Sequence, residues 1–293
     1  MRARSISLRR VFVLVPVTLF VGLAQAIGGE PEAPTLTPLW SLDGFEAPES
    51  VVFDARRDVL YVSNVAGEGD AKDGNGYISR VSLDGRRLDA RWVDGLHAPK
   101  GLALQGRRLY TADVTDLVEI ELPGGRVIAR HPAPGAGFLN DVLATASGDI
   151  YISDSAKSRI YHWRGGRMRV WLEHPELRSI NGLLGERSRL VVSTMQGKLL
   201  AVDWKTREMS TLAVDLGDAD GIAALGDGRY LVGEWPGRLF HVDAAGRSRT
   251  LFDWRDRKRY INDFLLLERK GSEPKLIVPS WEPGTLAAYR LGR

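Results

Sequence analysis

The sequence predicts an all-β fold: a six-bladed β-propeller of four-stranded blades, with the ring closed by the N-terminal strand. Three observations carry this. A unit of about 40 residues recurs six times. Within each unit, short β-branched and aromatic runs alternate with turns rich in Gly, Asp or Arg, which is the chemistry of strands. Beyond residue 26, no stretch sustains a 3.6-residue apolar period over three turns, so amphipathic helices are not expected.

Each unit opens on a polar residue followed by an apolar run. The openers are Glu49, Lys100, Asn140, Asn181, Asp220 and Asn262, spaced by 51, 40, 41, 39 and 42 residues. A second strand follows, as in Val59-Leu-Tyr-Val-Ser, Asp149-Ile-Tyr-Ile-Ser and Arg189-Leu-Val-Val-Ser. A third comes next, as in Gly76-Tyr-Ile-Ser-Arg-Val and Lys198-Leu-Leu-Ala-Val, and then a more variable fourth, as in 86–93 and 247–252. The sixth unit ends on its third strand, Thr285 to Leu291, and the run Leu36 to Leu42 ahead of the first opener supplies the missing fourth. Closure of this kind leaves no weak seam. The domain therefore spans 36–293, after a short linker, 27–35.

Residues 1–26 read as a secretory signal peptide. A positive segment precedes the apolar run Val11 to Leu23, and Ala24-Gln25-Ala26 forms a small-x-small cleavage site. The run is shorter than a spanning helix needs and Pro16 interrupts it, so no membrane association is expected after cleavage. A periplasmic or secreted location follows, by general or twin-arginine export. Four of the 40 basic residues, Arg2, Arg4, Arg9 and Arg10, lie in this leader, which leaves 36 against 37 acidic. A near-neutral chain offers no electrostatic footprint for nucleic acid. With no Cys, the exported domain must rest on its core alone.

The first strand of each blade lines the central channel. Its N-terminal end shares one face with the link between strands two and three. The six openers therefore ring one mouth. The extra length of the first interval falls in the 64–76 link, either a lid or a solvated insertion. Glu49, Asn181 and Asp220 present two carboxylates and an amide oxygen, hard ligands suited to Ca²⁺ or Mg²⁺, and crowded carboxylates repel without a cation. Taken singly, Asn-Gly and Asp-Gly are also ordinary turn dipeptides. His97 stands just before the second opener and is a further candidate for the mouth. His131, His162, His174 and His241 fall on outer strands or turns. The sequence holds no nucleophile elbow, Cys nucleophile, zinc-helix His pair or P-loop. Most Trp residues fit blade packing, but Trp235 and Trp281 are placed to wall a pocket.

These motifs resemble the senescence-marker-protein/gluconolactonase/luciferin-regenerating-enzyme family of six-bladed propellers. The matching segments are Ala47-Pro48-Glu49-Ser50-Val51, Leu139-Asn140-Asp141, Ile180-Asn181-Gly182-Leu183 and Asp218-Ala219-Asp220-Gly221. The resemblance implies one divalent cation, Ca²⁺ first with Mg²⁺ or Zn²⁺ as alternatives, held by Glu49, Asn181 and Asp220. It also implies Asp220 as general base and Asn140 as a substrate contact. Sugar-lactone members carry an arginine where Phe138 stands here, and Ala219 replaces the proline of their Pro-Asp-Gly. An exported hydrolase of less polar lactones or related esters is the expected function. Phe138, Asn140, Asn262, Lys100 and His97 are expected to contact the small-molecule substrate. A non-catalytic propeller that binds a ligand or protein partner, and a purely structural cation, are the competing readings.

Overall fold

The computed structural model describes residues 34–292, and the expected leader, with most of the linker, lies outside them. Strand β1 (Thr35–Asp43) precedes the first blade but belongs to the last. Blade one comprises β2 (Pro48–Asp54), β3 (Val59–Asn64), β4 (Gly76–Ser82) and β5 (Arg87–Leu96). Blade two is β6 (Pro99–Gln105), β7 (Arg108–Asp113), β8 (Asp116–Glu121) and β9 (Val127–Pro132), and blade three is β10 (Leu139–Ala144), β11 (Ile150–Asp154), β12 (Arg159–Arg164) and β13 (Arg167–Glu173). Blade four holds β14 (Ile180–Gly185), β15 (Arg189–Thr194), β16 (Lys198–Asp203) and β17 (Met209–Ala213). Blade five holds β18 (Ala219–Gly226), β19 (Arg229–Glu234), β20 (Arg238–Val242) and β21 (Ser248–Asp253). Blade six is β22 (Leu265–Leu267), β23 (Lys275–Ser280), β24 (Thr285–Gly292) and β1, so the N-terminal strand closes the ring as expected.

The second strands are buried on both faces, which explains their near-continuous apolar runs. In β3, Val59 and Tyr61 pack towards blade two, against Leu102, Leu109 and Val118. Leu60 and Val62 pack the other way, towards Ile277, Leu286 and Ala288 of blade six. The closing strand serves two interfaces by a different device. Leu36 joins the core shared with blade five. A register shift between Pro38 and Trp40 then reverses the alternation, so that Trp40 and Leu42 join the core shared with blade one.

One irregularity recurs and positions the site. The first strand of each of blades one to five loses register at its opener: Pro48/Val51, Pro99/Leu102, Leu139/Val142, Ile180/Leu183 and Ala219/Ile222. Each bulge carries one extra residue and releases two from the ladder, re-aiming their side chains towards the axis. Ala47 and Ser179, two residues ahead of Glu49 and Asn181, have left-handed backbone that turns the chain into two of these bulges. In blade six, Asn262 and Asp263 occupy the equivalent place just ahead of β22.

Candidate functional site

The bulges build two stacked rings. The upper ring is the set of openers, Glu49, Lys100, Asn140, Asn181, Asp220 and Asn262, all buried. The lower ring is the residue after each: Ser50, Gly101, Asp141, Gly182, Gly221 and Asp263.

The lower ring is a set of staples between blades. Asp141 accepts the backbone N–H of Leu183 in blade four at 2.6 Å and that of Val142 at 2.7 Å. Asp263 accepts the Ser50 hydroxyl across the closing seam at 2.5 Å and the Phe264 N–H at 2.7 Å. Ser193 accepts the Gly182 N–H at 2.8 Å and donates to the Asp220 carbonyl of blade five. The glycines are required by space. A Cβ at Gly101 would stand 2.6 Å from the Asp141 Cα, and one at Gly182 would stand 2.5 Å from the Asp220 carbonyl oxygen.

The upper ring is charged and incompletely partnered. The Asn262 amide Nδ2 donates to Glu49 Oε2, while Asn262 Oδ1 is buried with no partner among the described residues. Asn140 Nδ2 donates to the Ser155 hydroxyl at 3.3 Å. Burial pushes the Glu49 carboxyl up to about 7, against the pull of Lys100 and the Asn262 amide. Burial, then the charges of Glu49, Asp263 and Asp141, holds Asp220 well above the usual carboxylate range, with the Asn181 amide opposing. Asp141 is raised by burial and by Asp263. Asp263 is raised to about 6 by burial. Two buried carboxyls, Glu49 and Asp220, and two half-buried ones, Asp141 and Asp263, thus share the channel with the Lys100 ammonium.

Lys100 Nζ donates to the Ala98 carbonyl at 3.1 Å and to the Gly69 carbonyl, and lies 4.3 Å from the Phe138 ring centroid. Gly69 belongs to the long link between β3 and β4. This link lies over the mouth at blades two and three, with Gly69 facing the Phe138 ring and Lys100 across a gap that a methyl group would fill. Lys72 fastens it to Thr115 at 2.6 Å, and Arg91 donates to the Asn75 carbonyl at 2.7 Å. Burial lowers the Lys100 ammonium to about 8, against the attraction of Glu49, Asp113 and Asp70.

The structure brings Glu49, Asn181, Asp220, Asn140, Asn262 and Lys100 together in one ring and sets Phe138 beside Lys100. His97 lies just ahead of this ring: its backbone N–H donates to Asp113 at 2.9 Å, and its buried Nδ1 has no partner among the described residues. His131 and His162 bond Glu119 and Asp149 on the blades, and His174 caps a single-turn 3-10 helix, Pro175–Leu177. Trp235 lies against Tyr260 with the two rings tilted, and Trp281 packs beside Val65, Ala98 and Val114. Sequence reasoning missed Asp141 and Asp263. Their signal was the Asn-Asp pair repeated in blades three and six. A cleft of about 460 Å³ between blades three and four, lined in part by Leu143, Tyr151 and Trp204, includes none of the ring residues.

The donor set suits a hard divalent cation: two carboxylates, amide oxygens, and in Asn262 Oδ1 a buried acceptor without a donor. Among the described residues, no three His, Cys, Asp or Glu converge as a metal cluster, so the ring carboxylates would need oxygen donors of another kind to complete a site.

Fold and site together define a closed six-bladed propeller with a carboxylate–amide ring at the mouth of its channel. No protein-family model matches the chain, and no curated protein matches its sequence. Solved structures do match its fold. A gluconolactonase from Xanthomonas campestris superposes with a TM-score of 0.68 at 15% identity, covering 89% of this chain and 95% of that one. A virginiamycin B lyase from Staphylococcus aureus gives 0.62 at 12% identity, over 89% and 88%. A chain of a nidogen–laminin complex gives 0.63 at 15% identity, over 74% and 84%. The chain therefore shares the six-bladed fold of gluconolactonases, and at these identities the likeness concerns the fold alone.

Proposed function

We propose that this chain is an exported, metal-dependent hydrolase of lactones or related esters, with one divalent cation, Ca²⁺ first, at the channel mouth. The observation that carries the reading is the upper ring. Glu49, Asp220 and the orphaned Asn262 Oδ1 are buried together where unpaired negative charge is costly and a cation relieves it. Glu49, Asn181 and Asp220 would hold the ion, with Asn262 either joining through Oδ1 or orienting Glu49 through its N–H. A bound cation supplies carbonyl polarisation and a water of lowered pKa, together worth several kcal/mol of barrier.

The remaining work falls to this chain's own residues. Asp220 takes the proton from the attacking water as general base. Asn140 orients substrate through its amide. Phe138 offers an apolar wall at the position where a sugar would need hydrogen bonds. The link over the mouth excludes water from the blade-two and blade-three side.

The test is calorimetric titration of metal-stripped protein with Ca²⁺, Mg²⁺ and Zn²⁺, wild type beside Glu49→Ala, followed by a lactone and ester screen with Asp220→Ala. One-site binding lost in Glu49→Ala, and turnover lost in Asp220→Ala, is the expected result. Asp220→Ala that retains both binding and hydrolysis defeats the mechanism. One observation favours a second reading: a fold neighbour occurs in a protein–protein complex. A non-catalytic binding propeller predicts partner capture that depends on the 65–75 link and survives metal removal.

A further inference from the structure

Lys100 is the one cation of the upper ring, and its surroundings are unusual for a buried ammonium. Its three N–H donors meet only two acceptors, both backbone carbonyls, and no carboxylate among the described residues lies within ion-pair distance. One of those acceptors, the Gly69 carbonyl, belongs to a link that crosses the mouth from the neighbouring blade. Removing that link from Lys100 would leave a desolvated charge with a single acceptor, which is costly unless something replaces it.

We propose that Lys100 is the anion anchor of this site and that the substrate is a lactone or ester bearing a carboxylate, one oxygen of which takes the place of the Gly69 carbonyl. The substrate's apolar part then lies on Phe138, the surface that Gly69 now covers. This rests on the hydrolase reading above and names the substrate class for it. Two physical arguments support the anion. A carboxylate on an ammonium is a charge-assisted bond, roughly twice as strong as the neutral-acceptor contact it replaces. Glu49 is also the foremost counter-charge acting on Lys100. A divalent cation that takes up Glu49 leaves the Lys100 field unbalanced, so cation and anion each favour the binding of the other.

The experiment measures phenylacetate and its neutral isostere phenylacetamide by calorimetry on the Ca²⁺-loaded protein. The panel is wild type, Lys100→Met, Lys100→Arg, Glu49→Ala and a variant with 68–73 shortened to a Gly-Gly turn. Phenylacetate is expected to bind wild type more tightly than phenylacetamide. Lys100→Met should weaken it by about 10-fold or more, with Ca²⁺ affinity equal or higher, and Lys100→Arg should recover part of the loss. The shortened link should tighten phenylacetate, because its competing carbonyl is gone. Equal binding of acid and amide by wild type overturns the anchor. So does phenylacetate binding that survives Lys100→Met but vanishes in Glu49→Ala, since that places the carboxylate on the cation. Failure of the metal reading looks different: no Ca²⁺ binding by wild type, with the Lys100-dependent preference for acid over amide intact.

Discussion

The two rings of the channel wall are one residue apart in sequence and opposite in character. In the lower ring, the carboxylate oxygens of Asp141 and Asp263 each meet a fixed donor, and glycines stand where any side chain would strike the next blade. In the upper ring, Asn262 Oδ1 has no partner among the described residues and Lys100 relies in part on a carbonyl borrowed from a link across the mouth. The lower ring is saturated by the protein itself, as buried polar groups in a structural role are. The upper ring is left short of partners, which is the condition of a site that expects a ligand.

The largest effect that tests this contrast is steric. Gly182→Ala should destabilise the fold by about 3 kcal/mol, because its Cβ meets backbone rather than a yielding side chain. Urea denaturation reads it directly, and a stability close to wild type would show that the lower ring is not a packing layer. Asp263→Ala comes next. It strands the Ser50 hydroxyl and the Phe264 N–H between blades six and one, for a loss of about 2 kcal/mol at pH 5.

The pH dependence of the metal-free protein follows in size. Glu49 and Asp263 hold their protons more tightly folded than unfolded, with values raised to about 7 and about 6. Their contribution to stability is fully present below the unfolded carboxylate range and is lost as pH rises through 6 and 7. Lys100, lowered to about 8, works the other way, but only at higher pH. The melting temperature should therefore fall between about pH 5 and pH 8, and Ca²⁺ should flatten that slope. A flat profile without metal would mean that the ring carboxyls are not costly to ionise.

The smallest effect in metal-free protein is expected from Glu49→Gln in the upper ring. The amide keeps an acceptor for Asn262, so stability at pH 8 should be equal to wild type or higher. The same substitution should abolish the gain from Ca²⁺, which for a bound site is about 2.7 kcal/mol at a hundred times the dissociation constant. A Ca²⁺-induced rise in melting temperature that persists in Glu49→Gln would place the cation elsewhere.

Much of this architecture was legible along the chain. The repeat of openers, each followed by an apolar run, located six first strands, and the missing fourth strand of the last unit was found in Leu36 to Leu42. The upper ring was legible too, because every first strand begins at the same mouth. The lower ring was not. Asp141 and Asp263 each follow an asparagine, and strict alternation would send the second residue of such a pair away from the axis. In blade three a bulge releases both residues from that alternation, and in blade six both lie ahead of β22, outside the ladder. Lys100 was expected at the mouth as a substrate contact, but its bond to Gly69 was hidden, since Gly69 lies 31 residues earlier in a link whose course no local pattern dictates.

The sequence by itself determined the blade count, the closure and the identity of the polar residues at the mouth. These follow from periodicity and hydrophobic patterning, which are local properties of the chain. Tertiary structure alone decided which polar groups satisfy one another and which are left short. That depends on where neighbouring blades place their backbone N–H and C=O groups: the Leu183 N–H against Asp141, the Ser50 hydroxyl against Asp263, and the Gly69 carbonyl over Lys100. Hydrogen-bond satisfaction is a matter of a few tenths of an ångström between segments distant in sequence, and only the closed ring sets those distances.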